Sequence, residues 1–306
     1  MADRYVIPFA VLGLGEVDVV GGKAAHLGDL TQAGFPVPPG FAVTTLAYER
    51  EEAVASIADG YRRLGDQIGV ADPPVAVRSS AVAEDTEEAS FAGVQDTYLW
   101  LRGVEAVVDG VRRCWRSYWN PEAVAYRAEH GVEAGGMSVA IQTMVDARVA
   151  GVMFTLNPVS GDPSTVAIDA SYGLGITVVG GEVTPDSFLW SKVQREVVRS
   201  TIGSKEIEVV AAEDGSGTVR REVEPERREA LCLTPAEVER LADLAAQVQR
   251  HYGRHQDLEW AIGGRLDELF LLQSRPETVW SQKRKQVAAA DALSAIAATF
   301  LPKQEP

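Results

Sequence analysis

Apolar residues recur along the chain with two different periods, and the periods predict its elements. Ala24, Leu27, Leu30 and Ala33 stand three apart, which predicts a helix from about Gly22 to Gly34. Val107, Val111, Trp115, Tyr118 and Trp119 follow at spacings of three and four and predict a buried helix over 104–130. Pro121 interrupts it and suits the first position of a second helix. Residues 47–68 read as an exposed helix capped by Thr44 or Thr45. TPAEVERLADLAAQVQRHYG carries its own stop and start signals: Thr234 at the cap, Pro235 in the first turn, Glu237 at the capping-box position and Gly253 past the end.

The period-two runs predict strands. Tyr5 to Phe9, Val75 to Val77 and Tyr98 to Leu101 are short ones, and FPVPPGFAV must be extended or turned. MSVAIQTMV, VAGVMFTLNP, STVAIDASYGLG and SFLWSK read as four strands of one central sheet. EIEVVAAEDGSGTVRREV predicts an exposed hairpin turning at Asp214 to Gly217, and DLEWAI and LFLLQSRPE a further pair joined by GGRLDE. The expectation is an α+β protein with one subdomain over 1–200, a second over 201–280, and a tail over 281–306 in which a basic patch precedes an Ala-rich helix. That tail reads either as a docking element or as a frayed terminus.

Composition narrows the function classes. With 46% apolar and 24% charged residues, the 306-residue chain has the profile of a globular protein. Its 44 acidic against 29 basic side chains give a net charge of −15, which repels a nucleic acid over most of the surface. A small anion remains admissible where a few cations and backbone amides act within a Debye length. Cys114 and Cys232 are far apart, so neither a disulfide framework nor a cysteine zinc site is expected, and both read as buried apolar residues. The opening MADRYVIPFA holds no long apolar run, so neither a leader nor a membrane span is expected and the cytoplasm is the simplest location.

Three segments carry candidate chemistry. Gly21-Gly22-Lys23 lies between strand and helix, where amides and an ammonium meet a phosphate, although Ala24 rules out the GxxxxGK[ST] loop and a glycine turn with a surface lysine is the plainer alternative. Arg78 ends an apolar strand and leads into a loop of hydroxyls and glycine through Ser79, Ser90 and Gly93, which suits a cover for polyphosphate or simply a solvated loop with an arginine ion pair. Asp257 and Glu259 share one face of a strand, and Gln273 and Arg275 share one face of the next. If those strands pair, the four groups converge either on Mg²⁺ or in a cross-strand salt bridge.

GGKAAHLGDL, PVPPGFAVTT, VAVRSSAVAEDTEEASFAGVQDTYL, VMFTLNPVSGD, ASYGLG, PDSF and DLEW followed by LQSRPE occur in this order from about residue 10 to 279. The series closely resembles the N-terminal ATP-binding domain of the phosphoenolpyruvate synthase and pyruvate phosphate dikinase family, which rifampicin phosphotransferases and phenylphosphate synthase-like enzymes share. The resemblance implies an ATP-grasp fold whose two subdomains enclose ATP and Mg²⁺. It implies that Lys23, Arg78 and Arg275 act on the phosphates, that Ser79 to Gly93 covers them, and that Glu259 and Gln273 bind the metal with Asp257 beside them. It also implies that Gln142, Thr143, Met144 and Val145 form the hinge that receives adenine. One position departs: Ile176 follows Gly173-Leu174-Gly175 where family members commonly carry Glu, and Glu182 is the nearby acid that could substitute.

Family members pass a pyrophosphoryl group from ATP to a histidine on a mobile domain. His26, His130, His251 and His255 lie outside the family's phosphohistidine motif. The expectation is an ATP-binding subunit of a split phosphotransferase, whose partner subunit carries the histidine domain and the site for a small-molecule acceptor. A phenol or cresol is the first choice of acceptor, pyruvate the rival, and rifampicin less favoured because the stretch between residues 46 and 75 is short. A nucleotide sensor without phosphoryl transfer is the alternative of a different class.

Overall fold

The computed structural model describes residues 4–80, 97–129, 136–264 and 268–281. The chain runs through β1 (Val6–Pro8), α1 (Val17–Gln32), β2 (Gly40–Val43), α2 (Ala53–Ile68), β3 (Val75–Ser80), β4 (Thr97–Leu101), α3 (Val104–Ser117), α4 (Pro121–Glu129) and β5 (Ser138–Thr143). β6 (Ala147–Phe154), β7 (Thr165–Tyr172), α5 (Ile176–Val179), β8 (Asp186–Ser191), β9 (Glu196–Thr201), β10 (Ile207–Ala211) and β11 (Thr218–Glu222) follow. α6 (Pro225–Arg228), α7 (Pro235–Tyr252), β12 (Gln256–Gly263) and β13 (Leu269–Pro276) complete it.

The first half forms a five-stranded sheet in the order β1-β2-β5-β3-β4. Val75, Val77, Val139 and Ile141 point to one face and bury Ile57, Tyr61 and Leu64 of α2 with Val107, Val111, Cys114 and Trp115 of α3. α2 therefore has an inward face that the expectation of a surface helix lacks. It also starts later than residue 47, because Thr45–Ala47 forms a 3-10 turn and Glu49 takes a positive φ before the helix begins.

The second half forms a six-stranded sheet, β13-β12-β6-β7-β8-β9. Alternate residues Met153, Ile168, Phe188 and Trp190 face α7, which answers with Val238, Leu241, Ala245 and Val248. The α7 start is as the sequence predicts: Thr234 Oγ1 accepts from Glu237 N and the Glu237 carboxylate accepts from Thr234 N. α1 lies between the halves, since Ala24, Leu27 and Leu30 share one core with Ala42 and Ala140 of the first sheet and Leu258, Trp260 and Leu271 of the second.

Two expectations change. MSVAIQTMV supplies β5 of the first sheet rather than joining the three runs after it, so the single central sheet is two sheets. The division between them falls between Thr143 and Ala147, and a boundary at residue 200 would cut β6 to β9 from β12, with which β6 pairs throughout. The tail from 282 to 306 lies outside the described residues. Among the described residues no helix is long and apolar enough to cross a membrane.

Candidate functional site

The β12–β13 register places Asp257 opposite Arg275 and Glu259 opposite Gln273. Directly opposed residues share a face, so the two predicted pairs make one patch of four polar side chains. Arg275 Nε donates to Asp257 Oδ2 at 3.2 Å. From the other sheet, Arg78 Nη2 donates to Glu259 Oε2 at 2.8 Å and to Gln273 Oε1 at 2.7 Å. The register of β13 against β12 shifts after Glu259, leaving Leu272 unpaired in the ladder, and its carbonyl accepts from Arg78 Nη1 at 3.0 Å. The bulge thus supplies a third acceptor for a cation that originates 181 residues earlier than Glu259.

The patch is not saturated. Among the described residues Asp257 Oδ1 and Arg78 Nε are buried without a hydrogen-bond partner. Burial pushes the Asp257 carboxyl up to about 6 against the pull of Arg275, and Glu277 adds to the rise.

Beside the patch an open cleft separates the sheets. Met144, Val145, Leu174, Ile176 and Val179 line it with Ala150 and Ala261 of the second sheet, and Arg78, Thr97 and Glu259 line it beside the patch. An apolar recess ending in convergent charges matches a ligand with a flat heterocycle at one end and an anion at the other. Gln142 and Thr143 also line it, and Gln142 Nε2 is buried with no partner. The amides of Thr143 and Met144 are taken by the carbonyls of Pro39 and Pro74. The hinge residues of the sequence reading therefore do face the cleft.

Lys23 and Ser79 are placed differently. Gly21 breaks the helical path of α1 with φ 73° and ψ 166°, and a Cβ there would stand 2.3 Å from the carbonyl oxygen of Ser80. Glycine alone lets α1 press against the end of β3. Ser80 Oγ donates to Val20 O and accepts from Ala24 N, and Lys23 Nζ donates to Ser79 O at 2.9 Å. Lys23 is buried and neither it nor Ser79 lines the cleft. Strand alternation sends the Ser79 side chain to the face opposite Arg78, and its carbonyl is held by Lys23 rather than by the cleft. Ser90 and Gly93 lie outside the described residues.

Ile176 lines the apolar end, whereas Glu182 is paired with Arg220 at 2.6 Å and is not among the lining residues, so it does not supply the missing carboxylate. Asp169 went unnoticed in the sequence. It lies opposite Val152, which lies opposite Glu259, so it stands on the same sheet face two strands away, and Ser187 Oγ donates to it at 2.5 Å. The alternation in VAIDASY, with Ile168 and Ala170 buried, was the signal.

His26 Nδ1 contacts Gly22 O, His251 Nε2 contacts Asp29 and His255 Nδ1 contacts Thr155 O. None of these three lines the cleft, and His130 lies outside the described residues. Among the described residues no group of three or more His, Cys, Asp and Glu forms a metal cage. Glu259 and Gln273 offer hard oxygens, and the orphaned Asp257 oxygen lies beside them. That donor set fits a hard divalent cation such as Mg²⁺, held by one or two protein groups plus ligand phosphates.

A family model, the pyruvate phosphate dikinase AMP/ATP-binding domain, matches residues 50–294. A probable phosphoenolpyruvate synthase of Methanothermobacter thermautotrophicus is 39% identical, the alignment covering 92% of this chain and 47% of that protein. The phosphoenolpyruvate synthase of Aeropyrum pernix is 38% identical over 89% of this chain and 42% of its own length, and that of Pyrococcus furiosus 34% over 92% and 45%. The chain spans under half the length of these relatives. Among solved structures, D-alanine–D-alanine ligase from Bacillus anthracis complexed with ATP overlaps at a TM-score of 0.34 with 6% identity, covering 84% of this chain and 59% of that one, too loose to bear on the fold. The family match over most of the chain agrees with the cleft between two sheets, its apolar end and its cationic and acidic mouth: this chain belongs to the pyruvate phosphate dikinase AMP/ATP-binding domain family.

Proposed function

We propose that the chain binds Mg-ATP between its two sheets and presents the polyphosphate to a histidine carried by a separate domain or subunit. The imidazole nitrogen bonds to the β-phosphorus, the bond from that phosphorus to the α,β-bridging oxygen breaks, and AMP leaves. Arg78 carries the reading: it crosses from the first sheet to Glu259 and Gln273 of the second at the charged end of the apolar cleft. Such a guanidinium is positioned to follow charge onto a transferred phosphoryl group, and Arg275 stands beside it. Mg²⁺, when bound, neutralises phosphate charge; Glu259 and Gln273 would hold it.

The relatives named phosphoenolpyruvate synthase favour pyruvate as the eventual acceptor over a phenol or cresol. The whole reaction would convert ATP, pyruvate and water to AMP, phosphate and phosphoenolpyruvate.

Calorimetry with Mg-ATP tests the first step, and an ATP-to-AMP assay with a histidine-bearing partner tests the second, against pyruvate and phenol. Arg275→Ala and Glu259→Ala should each lower turnover about 10²–10³-fold with the fold retained. Near-normal turnover in both would remove the site assignment, and phenol-dependent AMP release without a pyruvate response would reverse the acceptor.

A further inference from the structure

The β10–β11 hairpin belongs to neither large sheet, and its attachments run to three places. At its base, Lys205 and Asp186 form an ion pair with both residues wholly buried. Lys205 Nζ also donates to Gly203 O at 2.8 Å and Arg228 O at 3.1 Å, while Asp186 accepts from the Gly203 and Cys232 amides at 2.8 and 2.7 Å. Along its length, Val209 forms a parallel bridge with Gly173 and its carbonyl accepts from Leu174 N at 2.8 Å. Gly173 has φ 72°, and a Cβ there would meet that carbonyl at 2.4 Å, so only glycine permits the approach. At its tip, Gly217 N donates to Trp100 O at 2.9 Å, on β4 of the first sheet.

Val209, Leu174, Trp100, Ala150 and Ala261 form one small apolar core, with Leu99 and Met144 packed on it. Leu174, Ala150, Ala261, Leu99 and Met144 are also lining residues of the cleft. The hairpin is thus the outer layer behind the apolar end, tied to both halves of the molecule.

We infer that the β10–β11 hairpin is a strap that sets the width of the base-binding end of the cleft, and that Lys205 and Val209 are positioning residues acting through Leu174. The inference rests on the nucleotide reading and deepens it. The strap touches the wall that would face a purine and none of Arg78, Glu259, Gln273 and Arg275. Loosening it should weaken the hold on the heterocycle and leave the hold on the phosphates intact.

The test compares Mg-ATP with Mg-tripolyphosphate, which shares the phosphates and lacks the base, by calorimetry on the full chain. Val209→Ala thins the layer behind Leu174, and Gly217→Pro removes the amide that reaches Trp100 and, because proline cannot take the φ of 76° there, also opens the partly exposed turn. Each should weaken Mg-ATP about ten-fold with tripolyphosphate affinity unchanged. Lys205→Met should do the same where it folds, and if it fails to fold the other two variants decide. ATP affinity equal to that of the unaltered chain in both, or an equal loss for ATP and tripolyphosphate, overturns the strap. Failure of the unaltered chain to bind Mg-ATP is a separate result that overturns the nucleotide reading itself.

Discussion

Two ionic clusters among the described residues, one wholly buried and one at the edge of the cleft, are built on opposite plans. Around Asp186 and Lys205 the bonding is complete: the ammonium has three acceptors, and the carboxylate accepts from the ammonium and two backbone amides. Around Arg78, Glu259 and Asp257 it is incomplete, with Arg78 Nε and Asp257 Oδ1 buried and unpaired. A buried polar atom without a partner costs about 1–3 kcal/mol. The closed cluster has nothing left to offer a ligand and serves the fold, whereas the open one has bonding capacity in reserve. Completeness of hydrogen bonding, together with burial, separates a structural ion pair from a binding one here.

The largest effect that would break this contrast is on stability. Lys205→Met leaves the Asp186 carboxylate buried without its counter-charge and should cost about 3–5 kcal/mol. Glu259→Gln keeps an acceptor for Arg78 in a side chain that is 23% exposed, and should cost below about 1 kcal/mol. Urea unfolding of the two variants measures both. Equal losses would show that the cleft cluster is as much a part of the fold as the buried pair.

His26 sharpens the contrast, because it is open and lies away from the cleft. Its Nε2 is buried without a hydrogen-bond partner among the described residues, and the ring of Tyr252 stands 5.5 Å away. The imidazole tolerates this by staying neutral: burial lowers its pKa to about 4, Asp29 opposing and Arg254 adding to the shift. The unfolded chain takes up the proton near the ordinary value of about 6.5. Below that pH the unfolded state binds more protons, so the stability present above pH 6.5 falls as pH drops toward 4, by about 3 kcal/mol in all. His26→Gln should flatten that part of the pH profile of unfolding. An unchanged slope would place the acid sensitivity in another group.

How much of this was legible in the sequence differs between the clusters. The alternation of Asp257 with Glu259 and of Gln273 with Arg275 announced the shared face, because strand periodicity is local and the register of β12 on β13 only had to bring like positions together. Arg78 was legible as a strand-end cation, but its partners lie across the cleft and follow from the packing of α1 between two sheets, which no local pattern encodes. The closed pair went unseen for a related reason. Asp186 opens a strand and Lys205 stands in a connection, and the desolvation that gives them meaning arises only when α6, α7 and the hairpin close around them. β9 was missed because its residues are mostly exposed and so carry no apolar alternation.

The start of α7 supplies the smallest test, at a site that is closed but less buried. Glu237 accepts from the backbone and hydroxyl of Thr234 and also from Arg148, so one carboxylate joins a helix cap to β6. Thr234→Ala removes the hydroxyl that accepts from Glu237 N, yet leaves Glu237 with the Thr234 amide position and with Arg148. The loss should therefore be that of a cap alone, about 1 kcal/mol, read as a small fall in the urea midpoint at unchanged slope. Mg-ATP affinity should not move, because neither Thr234 nor Glu237 lines the cleft. A loss approaching that of Lys205→Met would mean that closed clusters are cooperative units. Their bonds could then no longer be weighed one at a time, and the distinction between complete and incomplete bonding would have to be drawn for whole networks.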